Sequence, residues 1–209
     1  PRLAHMLLKA RATGRGGLGC DLAALLGERD LMRSGSGERT SDLRLRLDLL
    51  RGRTERGSVD AAAIRRVREV ARQFARRLAV ASGEGDGEMV GSLVAEAYPD
   101  RIAQRRSAAQ GQFRLAVGRG ASLAAHDPLA QAAWLAIADL DDSGRDARIY
   151  LAAPLTLAEI EAGFRARIET VDEIAWDGRE GAVLARRQRR LDALVLSDDP
   201  LSSPDPARL

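Results

Sequence analysis

The strongest constraint on the fold is the sequence Ala97-Tyr98-Pro99-Asp100, because periodicity changes across it. The apolar run from Met89 to Ala97 reads as a helix. Proline fixes φ and biases the preceding residue away from the α region, so that helix must end by Ala97 or Tyr98. Beyond Pro99 come short runs of strand character: Arg101–Arg106, Phe113–Val117, Ala133–Asp139, Ala147–Ala152, Arg167–Ile174 and Ala182–Arg187. Turn signals separate them, at Gly118-Arg-Gly, His126-Asp-Pro, Asp141-Asp-Ser-Gly, Asp177-Gly and Ser197-Asp-Asp-Pro. The expected class is therefore α+β: a helical half, then a small β-barrel and a further β-rich stretch.

Within the first half, Pro1 suits the first turn of a helix that carries Leu3, Met6, Leu7 and Ala10, with Gly14, Gly16 and Gly17 ending it. Cys20 to Leu26 is a second short helix with Asp21 near its start. Arg33-Ser-Gly-Ser-Gly-Glu and Gly83-Glu-Gly-Asp-Gly read as a loop and a linker. Ser41-Asp42 can cap a helix over Leu43, Leu47 and Leu50. The same residues also alternate as a strand would, and their helical neighbours favour the helix. Residues 60–80 are the clearest element, with an apolar stripe of Ile64, Val67, Ala71, Phe74 and Leu78. In the second half, Thr156 with Glu159 marks a capping box for a lone helix over Leu157–Phe164. Four or five strands and one helix suggest a barrel of the oligonucleotide/oligosaccharide-binding type. The tail from Leu201 to Pro206 reads as unstructured.

Composition narrows the function. Aromatic residues make up 3% of the chain, too few for a stacking platform of the RNA-recognition-motif kind. One cysteine excludes an internal disulfide framework, and with two histidines no zinc site is expected. No apolar run is long enough to cross a membrane and no signal-peptide pattern opens the chain, so a reducing cytoplasm is expected. The first residues read as structured sequence without an initiating Met, as in a piece of a longer protein. Net charge is +3, with an excess of five basic groups in residues 1–97 and of two acidic groups in residues 98–209. Five arginines stand against Asp100 alone between residues 98 and 125.

Most individual motifs have a plain structural reading. Gly14-Arg-Gly-Gly-Leu-Gly19 matches G-x-G-x-x-G, but a helix precedes it and no parallel strand is in sight, so an inter-helix turn is expected. Lys9 is the only lysine and no phosphate-cradling G-x-x-x-x-G-K-[ST] loop is present, so this stretch does not build its own ATPase site. Asp139, Asp141, Asp142 and Asp146 lack the order of a calcium loop and fit a hairpin turn. His126 has no nearby nucleophile in sequence and reads as a turn residue, and His5 as a packed or half-exposed one. No catalytic constellation emerges.

Arginines are the remaining candidates. Arg65, Arg68, Arg72 and Arg76 share one face of the 60–80 helix, either as a solvated face or as a phosphate-binding row. Arg101, Arg105, Arg106, Arg114 and Arg119 are expected to form a single positive trough near the junction of the two halves. The nucleic-acid-binding candidates are thus Arg101, Arg105, Arg106, Arg114, Arg119, Arg65, Arg68 and Arg72. The run Arg186, Arg187, Arg189 and Arg190 equally suits a docking surface.

Several stretches, taken in order, resemble the C-terminal accessory region of bacterial HrpB-type DEAH-box ATP-dependent helicases. Pro1-Arg-Leu-Ala-His-Met-Leu and Cys20-Asp-Leu-Ala-Ala-Leu-Leu-Gly-Glu-Arg-Asp look like the start of the helicase-associated helical bundle. Ala97-Tyr-Pro-Asp-Arg-Ile-Ala-Gln-Arg-Arg, Gly118-Arg-Gly-Ala and Trp134 to Leu140 look like the adjoining barrel. Arg167-Ile-Glu-Thr through Leu194-Val-Leu-Ser is similar to the opening of the extra C-terminal region of that branch. The resemblance implies a helicase-associated bundle over 1–97, an OB-like barrel over 98–165 and the start of the HrpB-type C-terminal region over 166–209. It further implies a tunnel that grips single-stranded RNA beside ATPase lobes of the same polypeptide. ATP and Mg would belong to those lobes and no cofactor to this stretch. The alternative is a docking scaffold that packs on the lobes or on a protein partner without touching nucleic acid.

Overall fold

The computed structural model describes residues 1–28, 31, 40–54, 60–83, 87–106, 110–141, 146–178 and 181–201. Five helices come first: α1 (Arg2–Ala12), α2 (Gly16–Gly27), α3 (Leu43–Arg51), α4 (Ala61–Leu78) and α5 (Val90–Ala97). Helix α5 stops at Ala97, and Pro99–Arg101 form a single 3₁₀ turn. The proline therefore does what its ring geometry requires.

Helix α2 differs from the expected short segment. It begins at Gly16, so the glycines lie inside it, and Asp21 sits mid-helix. The reason is close packing. A β-carbon on Gly19 would lie 2.6 Å from the Ala10 β-carbon on α1, so only glycine lets these two helices meet at this distance. Gly19 thus serves a helix–helix contact, while Gly14, at φ 72°, keeps the expected inter-helix turn, shortened to Thr13–Arg15.

Capping explains the next two helices. The Asp42 carboxylate accepts the Arg44 N–H, and the Asp60 carboxylate accepts the N–H groups of Ala62 and Ala63. In α3 the buried residues include Leu43, Leu47 and Leu50, as helical spacing predicts. Helix α4 buries Ala63, Val67, Ala71 and Ala75, whereas Ile64, Phe74 and Leu78 of the expected stripe are only half-buried. Small residues at every fourth position let neighbouring helices approach the α4 backbone, which turns the contact face toward the alanines.

The second half contains β1 (Ile102–Arg105), β2 (Gln112–Leu115), β3 (Gly120–Ser122), β4 (Trp134–Leu140) and β5 (Asp146–Leu155). They form a closed barrel in the order β1-β2-β3-β5-β4, with β1 returning to β4. All pairings are antiparallel except β3 with β5, where Ala121 lies opposite Ala147. Phe113, Leu115, Leu135, Ile137 and Ile149 fill its interior around Ala103 and Ala147. Strand β3 is missing from the sequence expectation. Its three residues have too little apolar content to signal a strand, and barrel closure selects them.

Helix α6 (Leu157–Phe164) follows with its capping box complete. Then β6 (Ile168–Asp177), β7 (Ala182–Leu191) and β8 (Leu194–Pro200) form a separate three-stranded antiparallel sheet. The expected turn at Ser197-Asp-Asp-Pro is instead strand β8, with Asp198 opposite Gln188 and Asp199 opposite Arg187. The Arg186 guanidinium meets Asp198 at 2.6 Å, so the acids that looked like turn formers are cross-strand partners. The turn itself is Asp192-Ala193, with Asp192 at φ 50°.

One apolar core runs from the helices across the outer wall of the barrel to the three-stranded sheet, joining Leu22, Leu47 and Val94 to Ala136, Leu155, Leu191 and Leu194. A polar strap reinforces the junction. The buried Asp127 carboxylate accepts the N–H of Leu129 in its own turn and that of Ser41 from the helical half. Ser41 in turn accepts the Ala152 N–H through its carbonyl. The loop at 33–38, the centre of the 83–87 linker, the tip of the 141–146 hairpin and the tail beyond 201 lie outside the described residues. No described helix is long and apolar enough to cross a membrane.

Candidate nucleic-acid interface

Four guanidinium groups converge on an open hollow of about 520 Å³ on the helical half. Arg51 comes from the last turn of α3, Arg53 from just beyond Gly52, and Arg68 and Arg72 from the middle of α4. The local sequence dictates this. Gly52 takes a left-handed conformation, φ 71°, that ends α3 and reverses the chain, carrying one arginine into the helix end and one past it. Arg68 Nε then donates to the Leu50 carbonyl at 2.7 Å, using one exposed carbonyl of that helix end.

The lining arginines differ in how firmly they are held. Arg51 is clamped to Asp21 at 2.9 Å, with both side chains under a tenth exposed. Burial pushes the Asp21 carboxyl above its ordinary value, more than the hydrogen bond and charge of Arg51 pull it down. Arg72 lies 2.9 Å from Glu69, which also reaches Arg76 at 3.4 Å. The Arg76 hydrogen bond and the Arg72 charge hold that carboxyl below the ordinary range. Arg53 is exposed and has no ion-pair partner among the described residues. Arg65, a turn before Arg68, is exposed too. The outcome is a cationic surface whose two neighbouring carboxylates, Asp21 and Glu69, are each paired with arginine. Phosphate oxygens suit such a surface.

The barrel arginines do not form the expected single trough. Arg105 lies opposite Phe113, on the side of β1 that faces the barrel interior, and leaves at the barrel mouth to reach Gln131 at 3.4 Å. Arg114 lies opposite Gln104 on the outer side, where Gln104 donates to the Val195 carbonyl of β8. Arg101 precedes the other end of β1, donates to the Ala138 carbonyl at 3.0 Å and stacks over the Tyr98 ring at 4.9 Å. Arg106 is exposed just after β1, and Arg119 is half-buried before β3. Strand alternation alone sends Arg105 and Arg114 to opposite faces.

The run at 186–190 is committed to ion pairs within the three-stranded sheet and to α6. Arg187 pairs with Asp172 and Arg190 with Glu173, both at 2.7 Å. Arg186 holds Asp198, and Arg189 holds Glu161 of α6. Elsewhere, His126 is exposed on its turn, and His5 lies 3.4 Å from Glu96. Asp141 is structural: its carboxylate accepts the Arg148 N–H and the Tyr150 hydroxyl. Among the described residues no cluster of His, Cys, Asp and Glu could hold a metal ion. Burial raises the Cys20 thiol to about 11, far from a reactive thiolate. Arg51 and Arg53 were not among the sequence candidates, although a glycine flanked by arginines just past a helix was their signal.

Comparison with known proteins bears on this arrangement. Residues 167–201, which span the whole three-stranded sheet, match the family model described as "ATP-dependent RNA helicase HrpB, connector region". The chain is 30% identical over 207 residues, 98% of its length, to the ATP-dependent RNA helicase HrpB of Escherichia coli K12. It also superposes on a crystal structure of the E. coli DExH-box NTPase HrpB with a TM-score of 0.75 at 30% identity, over 98% of the chain. The chain is similar to HrpB along almost its whole length. A second structure, of the Escherichia coli DEAH/RHA helicase HrpB, gives a TM-score of 0.73 at 27% identity over 99% of the chain. The chain spans 23% of the curated E. coli HrpB sequence and 23–24% of the two HrpB crystal chains. It corresponds to a C-terminal region of an HrpB-type helicase.

Proposed function

We propose that this chain is the accessory region with which an HrpB-type RNA helicase grips single-stranded RNA in the cytoplasm, beside ATPase lobes of the same polypeptide. The observation that carries this reading is the hollow lined by Arg51, Arg53, Arg68 and Arg72. Guanidinium groups held at a helix end by a carbonyl and a buried carboxylate are pre-positioned, so binding a phosphodiester orders fewer side chains. The mechanism is passive: the arginines neutralise phosphates and release counterions while the lobes perform ATP-driven stepping. The barrel, with its β1-β2-β3-β5-β4 order, supports an oligonucleotide-binding reading, with Arg105 at its mouth as a second contact.

Fluorescence anisotropy of a labelled oligo-RNA at two salt concentrations tests this. The double variant Arg53→Ala with Arg72→Ala should weaken binding and flatten the log–log salt slope by about 1.4, the share of two single-strand phosphate contacts. Arg105→Ala with Arg106→Ala should weaken binding separately. Unchanged affinity in a pair rejects that pair as the grip. No anisotropy change for the unmodified chain at low salt favours a docking scaffold instead. One feature supports such a role for the three-stranded sheet: Trp176 and Val183, opposite each other on β6 and β7, are 67% and 49% exposed.

A further inference from the structure

A second hollow, of about 430 Å³, lies where the helical half meets the barrel and has different chemistry. Its floor is leucine from α2, α3 and β5. Tyr98 and Tyr150 contribute the aromatic surface, and Arg46, Arg101, Glu28 and Asp139 the charged groups. Both guanidiniums are already engaged. Arg46 donates to the carbonyls of Thr40 and Asp42, and Arg101 to that of Ala138 while stacked on Tyr98. The carboxylates are much freer. Among the described residues, exposed Asp139 has no ion pair and Glu28 has only Arg66 at 3.9 Å. Tyr150 is 45% exposed and oriented by its hydroxyl bond to Asp141 at 3.0 Å, with Arg148 over its ring.

We infer that this junction hollow binds a nucleobase carrying an exocyclic amine. The volume falls in the range of about 300–1,000 Å³ typical of small-ligand sites, and the lining sets leucine and tyrosine surface beside four charged groups. Free carboxylates accept hydrogen bonds and repel anions, so a phosphate does not suit the site. Two fixed guanidiniums beside them disfavour a cationic ligand. A neutral aromatic ring meets both conditions: it stacks on tyrosine and donates its amino hydrogens to Asp139 or Glu28. Adenine, cytosine and guanine carry that amine and uracil does not, so the site should discriminate against uracil. The base can come from a free nucleoside or from an RNA strand.

Saturation-transfer NMR of the intact chain with adenosine and with uridine tests the inference. Oligoadenylate and an abasic strand of equal length serve as the strand arm. Adenosine should bind more tightly than uridine. Tyr150→Ala should weaken it about ten-fold, the size that loss of one base–aromatic stack brings. Asp139→Asn, which introduces an amide donor at an exposed position, should narrow the preference over uridine. Adenosine bound alone identifies a nucleoside site. Binding only of oligoadenylate, abolished in the abasic strand, identifies a base presented by RNA. Equal binding of uridine, insensitivity to both variants, or no base-dependent binding in either arm overturns the proposal. The arginine hollow is distinguishable throughout, because its loss alters salt dependence and leaves base preference intact.

Discussion

Gly91 of α5 lies so close to Pro154 of β5 that a β-carbon built on it would fall 2.0 Å from the Pro154 carbonyl oxygen. A glycine inside a helix costs about 1 kcal/mol relative to alanine, so this position gives up intrinsic helix stability for backbone contact between the two halves. Gly91→Ala should therefore destabilise the chain despite its better helix propensity. Overpacking against a rigid backbone predicts a net loss of about 2 kcal/mol. Urea unfolding should show a lower midpoint; an unchanged or higher one would mean the junction can separate at no cost.

Gly19 and Ala10 form a second contact of this kind between α2 and α1, with an added β-carbon 2.6 Å from that of Ala10. Here the partner can be shortened. Gly19→Ala alone should destabilise, and Ala10→Gly added to it should recover part of the loss. A double-mutant cycle should yield a coupling of about 1 kcal/mol or more, as contacting residues give. Strict additivity would disprove the contact.

Asp21 provides a pH-dependent signature. Its folded value is raised above the ordinary 3.8, chiefly by burial. A carboxyl raised on folding contributes stability that is present below the unfolded value and is lost as pH rises through the folded value. Removing Arg51 removes the two influences that lower it, so Arg51→Ala should raise the value further and extend that loss. The variant should cost about 3 kcal/mol at neutral pH, where it leaves a buried unpaired carboxylate, and less as acidity protonates Asp21. Unfolding free energies measured across the window above pH 3.8 check both sign and trend.

Thr156 and Glu159 exchange hydrogen bonds around the first turn of α6, and the Glu159 carboxylate also accepts the Ser92 hydroxyl on α5. The capping box thus ties α6 to the helical half as well as starting it. Thr156→Ala should cost about 1 kcal/mol, as loss of an N-cap does. Ser92→Ala should lower stability without reducing α6 helicity. Circular dichroism beside thermal denaturation separates the two effects.

Elements with local punctuation were legible in the sequence: the proline stop after α5, the Asp42 cap and the Thr156 box each depend on neighbours within four residues. What long-range contact decides was not. Gly16 to Gly19 read as a turn because their packing partner on α1 is invisible to local pattern, and β3 carries almost no strand signal of its own. Asp198 and Asp199 read as turn formers because their register opposite β7 comes from sheet pairing. The candidate site divides similarly. Helical spacing placed Arg68 and Arg72 on one face correctly, but their convergence with Arg51 and Arg53 needs the α3–α4 contact. Counting arginines between 98 and 125 overestimated a cluster that strand alternation disperses.

Closing the barrel has a further consequence for how copies of the chain meet. Every barrel strand has two neighbours, so none offers a bare ladder of backbone groups to another molecule. Among the described residues, only β6 and β8 flank a single partner, and both are acidic: Glu169 on the first, Asp199 beside the N–H-lacking Pro200 on the second. Joining these borders in any combination would press carboxylates together, so crowded molecules are kept from zipping into fibres by charge on one sheet and by geometry on the other.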